Sequence, residues 1–356
     1  MPSRYAPRLH PIVRRHGLRA VGLLVVIALF AVVLPRIADY SAVWDVLARL
    51  TWRDAAVLTG VAVLNIVTFG PPWMAALPGL GLRSSLTVSL ASTAISNVAP
   101  GGDAVGLAMT FAMLRGWGFD RARTTLALVV FTVWNQLVNV FFPVLAIVLL
   151  SAEGQRNALL QLAATIGGIA LVLVLTAFAV ALRSESGARR VGELAQRLSA
   201  RALRLARRPP LRGVAEAIVR FRADSLDLVR RRWPALTLTT LAGHLTVWLV
   251  LVASLRVVGV HAGQVSLVES FAAWALVRLL TAVPITPGGL GIVELGLTGT
   301  LVGFGGGQEQ VVAAVLLYRS LTFLPPIPLG LLTALTFRRA HPNATDERGA
   351  GDLAAR

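Results

Sequence analysis

The chain has 356 residues, of which 56% are hydrophobic and 14% are charged, a composition typical of a polytopic membrane protein and not of a soluble domain. It contains no cysteine, which excludes disulfides, zinc–thiolate sites and cysteine nucleophiles. The net charge of +17 comes from 34 basic residues, all arginine, a usage typical of a GC-rich bacterial genome. Because these arginines lie beside apolar segments, we assign them to membrane orientation and anionic headgroups, not to nucleic acid.

The N-terminal part predicts two membrane spans. Residues 1–19 are a basic cytoplasmic segment, and the apolar run 20–34 has no small-residue cleavage site after it, so we interpret it as a retained span. Residues 37–54 form an amphipathic segment, which we place in the outer interface. A second span covers about 55–80 and is bent at Pro71-Pro72.

The stretch 84–114 is too short to cross the membrane twice, because about 20 helical residues are needed per crossing. A single crossing would make the later segment 183–234, which contains 14 arginines, external, against the positive-inside rule. A re-entrant hairpin satisfies both constraints: 84–98 enters the membrane, Pro100-Gly101-Gly102 turns, and 103–114 returns to the cytoplasmic side.

Two further spans follow, at about 124–150 and 158–182, and they complete a first membrane half over residues 20–182. Segment 183–234 predicts two basic amphipathic helices hinged at Pro209-Pro210. Two interpretations of this Arg-rich cytoplasmic helical hairpin remain open: it lies on lipid headgroups, or it binds a cytoplasmic partner.

The second membrane half, residues 235–337, repeats this plan in the opposite orientation. It consists of a span at 235–257, a re-entrant hairpin over 265–304 and a last span at about 310–336. A cytoplasmic tail, 338–356, follows. The predicted fold class is an all-α polytopic membrane protein with about six full spans and two re-entrant hairpins that enter from opposite faces. This is the inverted-repeat plan of secondary transporters.

The turns of the two hairpins are candidate substrate-binding elements. Proline and paired glycines break a helix at membrane depth, and the half-helices that follow present unpaired N–H groups and a positive dipole end. Glycine also lets a lipid headgroup approach the backbone closely. The candidate residues are Gly101, Gly102, Pro287, Gly288 and Gly289.

Charged side chains inside membrane segments are functional candidates, because their burial is costly. Arg278 and Glu294 flank the second turn and can approach each other, either as a structural ion pair or around a ligand. Arg319 lies about nine residues into the last span, roughly 14 Å deep, where it can hold a carboxylate or a phosphate. Asp103, Glu294 and Glu269 are candidates for a counter-charge or a proton-coupling residue. For Asp103 the alternative is a helix cap, and for Glu269 it is an interfacial residue.

Neutral polar residues also fall inside the predicted spans. His244 in the span 235–257 is interpreted as an interhelical hydrogen-bonding residue in preference to a proton carrier. Asn135 and Asn139 are interpreted as polar contacts that hold helices together.

The motif from Pro284 to Glu294, with its core Pro287-Gly288-Gly289-Leu290-Gly291, resembles the signature of the lysylphosphatidylglycerol synthase transmembrane region family. The resemblance continues through Leu316-Leu317-Tyr318-Arg319, and Asn97 to Asp103 occupies the place of a related element in the first half. It covers about residues 20–336. The family is flippase-like, and the resemblance implies movement of a polar lipid between leaflets, with Tyr318 and Arg319 among the substrate-binding residues.

The resemblance implies no synthase activity, because no soluble segment is longer than 183–234. We therefore expect a lipid flippase or transporter for an anionic or phosphate-bearing (glyco)lipid, not an enzyme, with no catalytic residue, no metal and no cofactor. The alternative is a membrane-embedded enzyme or accessory scaffold in lipid-linked glycan or aminoacyl-lipid synthesis. The expected partners are anionic membrane lipids and no nucleic acid. The expected location is a bacterial plasma membrane, with both termini cytoplasmic.

Overall fold

The computed structural model describes residues 40–98, 102–153, 169, 172–173, 175–181, 183–205, 213–281 and 289–340. These residues form twelve main helices: α1 (Tyr40–Ala48), α2 (Trp52–Thr68), α3 (Pro71–Ala76), α4 (Leu82–Val98), α5 (Gly102–Gly116), α6 (Arg121–Ala152), α7 (Glu185–Leu205), α8 (Val214–Val257), α9 (Leu267–Thr281), α10 (Ile292–Gly303), α11 (Gln308–Phe323) and α12 (Pro326–Ala340).

Four helical segments within the described residues are long and apolar enough to cross a membrane. They are Trp52–Ala76, Arg121–Ala152, Ser225–Val257 and Gln308–Phe337. Each corresponds to one predicted span, and the all-α multi-pass membrane architecture is thereby confirmed. The predicted span at 20–34 lies outside the described residues, as does most of the one at 158–182.

The helix ends define two faces of the molecule. Arg83, Arg115, Arg123, Arg231 and Arg232 lie at one face, which we call the arginine-rich face. The other helix ends meet at the opposite face. There the Ser266 hydroxyl, just before α9, donates a hydrogen bond to Glu153, just after α6, at 3.5 Å. Each face covers its own cluster of buried side chains, one centred on Trp73 and Trp134 and the other on Phe142 and Trp274.

Helices α4 and α5 form the first hairpin, with residues 99–101 between them outside the described part. The arms pack closely because Gly106 of α5 faces Ser92 and Ser96 of α4, where a β-carbon would come within 3.0 Å of the Ser92 carbonyl oxygen. Both ends of this hairpin lie at the arginine-rich face. Trp117, just after α5, stacks edge-on against Phe337 of α12 with ring centroids 5.5 Å apart.

Helices α9 and α10 form the second hairpin, and both of its ends lie at the opposite face. The turn after α10 packs on the turn before α9, so that a β-carbon on Gly305 would lie 3.2 Å from the Gln264 carbonyl oxygen. Helix α10 begins at Ile292, two residues later than predicted, because Gly291 has a positive φ of 86° that ends the preceding turn. The two hairpins therefore open toward opposite faces.

The helices pack in a reciprocal pattern. Helix α4, the first arm of the first hairpin, packs on α12 in the span that follows the second hairpin. Helix α9, the first arm of the second hairpin, packs on α6, the span that follows the first. Helix α8 packs on α2 and α3, which are its counterparts in the first half. This reciprocal packing is the pattern expected of two halves related by a two-fold axis in the membrane plane, and it supports the predicted inverted repeat.

The predicted helix boundary at residue 234 is wrong. Helix α8 continues through Pro234 for 44 residues, about 66 Å, and joins the second arm of the Arg-rich hairpin to the predicted span 235–257. Pro234 is exposed, so the carbonyl of Arg230 that it leaves unpaired faces outward. Because its second arm extends a span, the hairpin leaves the membrane instead of lying flat on it along its whole length, and α7 packs on that arm through Gly192 and Ala215.

The last predicted span, 310–336, is not one helix. Helix α11 ends at Phe323 and α12 begins at Pro326, because the consecutive prolines Pro325 and Pro326 remove two backbone donors. Helix α2 begins at Trp52, three residues earlier than predicted, because Thr51 and Asp54 form a reciprocal capping box.

Candidate functional site

A polar cluster lies at mid-membrane depth on α8. His244 is twelve residues from Arg232 at the arginine-rich face and twelve from Arg256 at the opposite face, about 18 Å in each direction along the helix. The Arg256 guanidinium donates to the Val260 and Val265 carbonyl oxygens at 2.7 and 2.9 Å, which fixes that end of the helix. His244 is therefore equidistant from the two faces.

Arg278 of α9 is the charged centre of this cluster. Its Nη2 donates to Asn139 Oδ1 of α6 at 2.7 Å and lies 3.0 Å from His244 Nδ1 of α8. Its guanidinium carbon lies 4.9 Å from the ring centroid of Trp274, one helical turn earlier on α9. Three helices thus position one guanidinium group, with hydrogen bonds fixing its edge and an aromatic ring covering its plane.

The hydrogen bonds around His244 specify its tautomer. Arginine only donates, so His244 Nδ1 must accept from Arg278 and carry no proton. His244 Nε2, 3.0 Å from Asn135 Oδ1, then donates, while Asn135 Nδ2 donates to the Phe131 carbonyl oxygen at 2.9 Å. The predicted interhelical hydrogen-bonding role of His244 is therefore what the structure shows, and Asn135 and Asn139 likewise join helices.

Glu294 and Arg319 form a second charged centre. Arg319 Nε of α11 donates to Glu294 Oε1 of α10 at 2.7 Å, and the Glu294 side chain is 2% exposed. The other carboxylate oxygen accepts from the Gly291 backbone N–H at the start of α10. Arg319 also lies over the Phe323 ring, 5.0 Å from its centroid. One carboxylate therefore caps a half-helix and pairs with the arginine of the neighbouring span.

The two centres lie at the same depth. Arg278 is eleven residues from the start of α9, and Arg319 is eleven residues from the start of α11, both about 16 Å from the opposite face. Tyr318, next to Arg319 on α11, is buried.

The predicted approach of Arg278 to Glu294 is wrong. Glu294 pairs with Arg319, because α10 packs on α11, whereas Arg278 faces α6 and α8. The sequence placed the two residues on adjacent arms of a hairpin but did not show which way each side chain points around its helix. The sequence also allowed Arg319 to hold a carboxylate. The observed ion pair between Arg319 and Glu294 is of this kind.

Glu269 does not join either charged centre. Its carboxylate accepts from the Ser266 backbone N–H at 2.8 Å, and its own N–H donates to the Ser266 hydroxyl at 3.1 Å. This is a capping box at the start of α9, nine residues or about 14 Å along the helix from Arg278. The interfacial interpretation of Glu269 matches this position.

Several predicted site residues cannot be placed. Gly101, Pro287 and Gly288 lie outside the described residues, as does the side chain of Asp103. Gly102 is the first residue of α5, and Gly289 has a positive φ of 67°. Their predicted roles in headgroup approach and charge compensation stay predictions.

Trp274 was missed by the sequence analysis. The signal that could have found it is its spacing, because an aromatic residue four positions before Arg278 on one helix lies directly beside it. Trp274 is 1% exposed and also packs on Phe142 and Phe271, so its ring is held in place under the guanidinium.

The structure defines a multi-pass helical membrane protein with broken-helix hairpins and a pair of arginine centres at mid-membrane depth. The family model of the lysylphosphatidylglycerol synthase TM region matches residues 19–330, and the chain belongs to this family. The resemblance seen in the sequence is thereby confirmed, and with it a membrane lipid-related function. A comparison with curated proteins finds no match to the chain.

Proposed function

We propose that this protein moves a lipid with an anionic or phosphate-bearing headgroup between the two membrane leaflets. The observation that carries the proposal is the pair of arginines at one depth, Arg278 held by Asn139 and Arg319 held by Glu294, with buried Tyr318 next to Arg319 on α11. Arginines at mid-membrane are costly, and their planar forks match phosphate oxygens in geometry and charge. Membership of a flippase-like family supports the same reaction.

Arg278 is the proposed primary headgroup ligand. Asn139 and His244 orient its guanidinium through hydrogen bonds, while Trp274 covers one side of its plane. A phosphate that enters the hairpin region would accept hydrogen bonds from this guanidinium fork. Tyr318, beside Arg319 on α11, is the proposed donor to a second phosphate oxygen.

Arg319 is the proposed second ligand, and Glu294 is its counter-charge when no headgroup is present. A phosphate near Arg319 would compete with the Glu294 carboxylate for the same guanidinium. Glu294 would keep its bond to the Gly291 N–H, so the start of α10 would stay capped while the ion pair is exchanged. Alternating access of the two hairpins would then expose this site to one leaflet at a time.

Arg278→Lys is expected to slow the transfer of fluorescent phosphatidylglycerol in reconstituted liposomes at least tenfold. Lysine keeps the positive charge but cannot form two parallel hydrogen bonds to one phosphate. Transfer of phosphatidylcholine, which has no net charge, is expected to be slower than that of phosphatidylglycerol in the wild-type protein.

Arg220→Gln is the matched control, since Arg220 is an exposed arginine on α8 outside the cluster, and it should transfer lipid at the wild-type rate. Thermal stability in detergent is measured for each variant, so that lost transfer can be separated from lost folding. Normal transfer by both Arg278→Lys and Arg278→Gln would contradict the proposal.

We further propose that the protein lies in a bacterial plasma membrane with the arginine-rich face in the cytoplasm. Because the chain has no cysteine, single cysteines can report the sidedness. Cysteines at Arg115 and Ser199 are expected to be protected from an impermeant thiol reagent added to cells, while one at Gln308 should react. Labelling of Ser199→Cys from outside would reverse the proposed orientation.

The proposal makes the chain a transporter, with no catalytic step of its own. A partner-binding role for the Arg-rich hairpin remains a second proposal, favoured by the way α7 and the first part of α8 project from the span. Deletion of that hairpin separates the two, because a scaffold would lose its function while a transporter would still bind lipid.

A further inference from the structure

A pocket at the arginine-rich face lies where the end of α3 meets the start of α6 and the middle of α8. Its volume is about 720 Å³, within the range of about 300–1,000 Å³ of small-molecule sites. Its charged lining residues are Arg123, Arg231, Arg232 and Asp227. Three positive charges and one negative charge give this pocket a net charge of +2.

The three arginines of the pocket differ in the hydrogen bonds and ion pairs that they form within the protein. Arg123 forms an ion pair with Asp120 at 3.3 Å, and Arg232 reaches the Met74 carbonyl oxygen only at 3.5 Å. Arg231, one residue earlier on α8, makes no hydrogen bond or ion pair to any described residue. Two neighbouring guanidinium groups therefore have donors to offer to a ligand.

The rest of the lining is apolar. Leu77 at the end of α3, Leu126 of α6 and Leu228 of α8 form one side of the pocket. A free phosphate ion would gain nothing from the leucine side of the pocket. A phospholipid would use both sides, because its headgroup is charged and its acyl chains are apolar. The division of the pocket into a basic side and an apolar side favours a phospholipid.

The pocket also lies at headgroup level. Arg231 and Arg232 immediately precede Trp233, which is 55% exposed, as is typical of a tryptophan at the membrane interface. Leu236 is the first buried apolar residue of α8 after these arginines. The pocket is therefore at the boundary between the membrane-crossing part of α8 and the part that leaves the membrane.

The pocket is separate from the central site. Arg232 is twelve residues from His244 on α8, and Arg123 is twelve residues from Asn135 on α6, about 18 Å in both cases. We propose that this pocket binds an anionic phospholipid, with the headgroup phosphate on Arg231 and Arg232 and an acyl chain along the leucines. Basic pockets between membrane helices are known to hold anionic headgroups. The inference does not depend on transport.

The test measures the retention of dioleoyl phosphatidylglycerol by the purified full-length protein, by native mass spectrometry after titration in detergent. The double variant Arg231→Gln/Arg232→Gln is expected to bind the lipid about tenfold or more weakly, because two charge-assisted hydrogen-bonding groups are lost. Arg230→Gln is the matched control. It removes one positive charge, where the double variant removes two, from the adjacent exposed position, which does not line the pocket. It should change binding less than twofold.

Asp227→Asn is the control that distinguishes a direct effect on the pocket from misfolding. It removes the one negative charge of the pocket and is expected to tighten phosphatidylglycerol binding severalfold, which a damaged protein would not show. Equal losses for the double variant and Arg230→Gln would overturn the proposal, as would wild-type binding of phosphatidylcholine at the same strength. Displacement by glycerophosphoglycerol or inorganic phosphate at the lipid's own concentration would show a site for soluble anions and would also overturn it.

Discussion

Arg319→Met is expected to lower the stability of the protein by about 3–5 kcal/mol, the effect of removing one partner from a buried ion pair. The reason is that Glu294, 2% exposed, would be left as a buried carboxylate with the Gly291 N–H as its hydrogen-bond donor. Glu294→Gln alone should lower the stability by a similar amount, because the Arg319 guanidinium loses the carboxylate 2.7 Å from its Nε. Both effects are measured by thermal unfolding in detergent.

The double variant Glu294→Gln/Arg319→Met is expected to recover most of the lost stability. Glutamine can still accept from the Gly291 N–H, and methionine fills the space of the arginine stem without a charge. If Arg319 also binds the headgroup, this variant folds but transfers lipid slowly. A double variant that is no more stable than the singles would show that the pair is not a mutually compensating unit.

Gly330→Leu is expected to disrupt the contact between α12 and α4 and to cost more than about 3 kcal/mol, the upper end of ordinary overpacking. A β-carbon at Gly330 would lie 2.1 Å from the Leu90 carbonyl oxygen and 2.6 Å from the Ala94 β-carbon. The obstructing atom at Leu90 belongs to the backbone, so the helices themselves must separate. Thermal unfolding in detergent and yield of folded protein report the effect.

Gly60→Leu is the matched control for that substitution. Gly60 is an exposed residue of α2, and a β-carbon at this position would have no neighbouring atom within 4 Å. The change should therefore be neutral or slightly stabilising, since leucine has the better helix propensity by up to about 1 kcal/mol. Equal thermal stability of Gly330→Leu and Gly60→Leu would show that close packing of α4 on α12 is not needed for stability.

The order of helices could be predicted from the sequence because the rules involved are local. Hydrophobic length fixes how many times a segment can cross, and arginine placement fixes which ends share a face. These two quantities predicted the paired arms α4 and α5, the paired arms α9 and α10, and four of the spans that the structure describes. The motif from Pro284 to Glu294 was enough to indicate the family.

Proline-based boundaries were less reliable. Pro325 and Pro326 interrupt the last span, whereas Pro234 leaves α8 continuous. The difference lies in the surroundings, since the carbonyl freed by Pro234 is on an exposed side of a helix that is also held by α7, while consecutive prolines remove two adjacent donors. The consecutive prolines are visible in the sequence, whereas the surroundings of Pro234 are not.

The sequence by itself determined the membrane class, the helix order, the family and the presence of Arg278, Glu294 and Arg319 inside membrane segments. Only the tertiary structure decided which charges meet, because pairing depends on the rotation of each helix and on which helix packs beside it. Glu294 pairs with Arg319 since α10 packs on α11, and Arg278 is positioned by Asn139 and His244 since α9 packs on α6 and α8. At mid-membrane no water can replace a missing partner, so this packing fixes the chemistry available to the site.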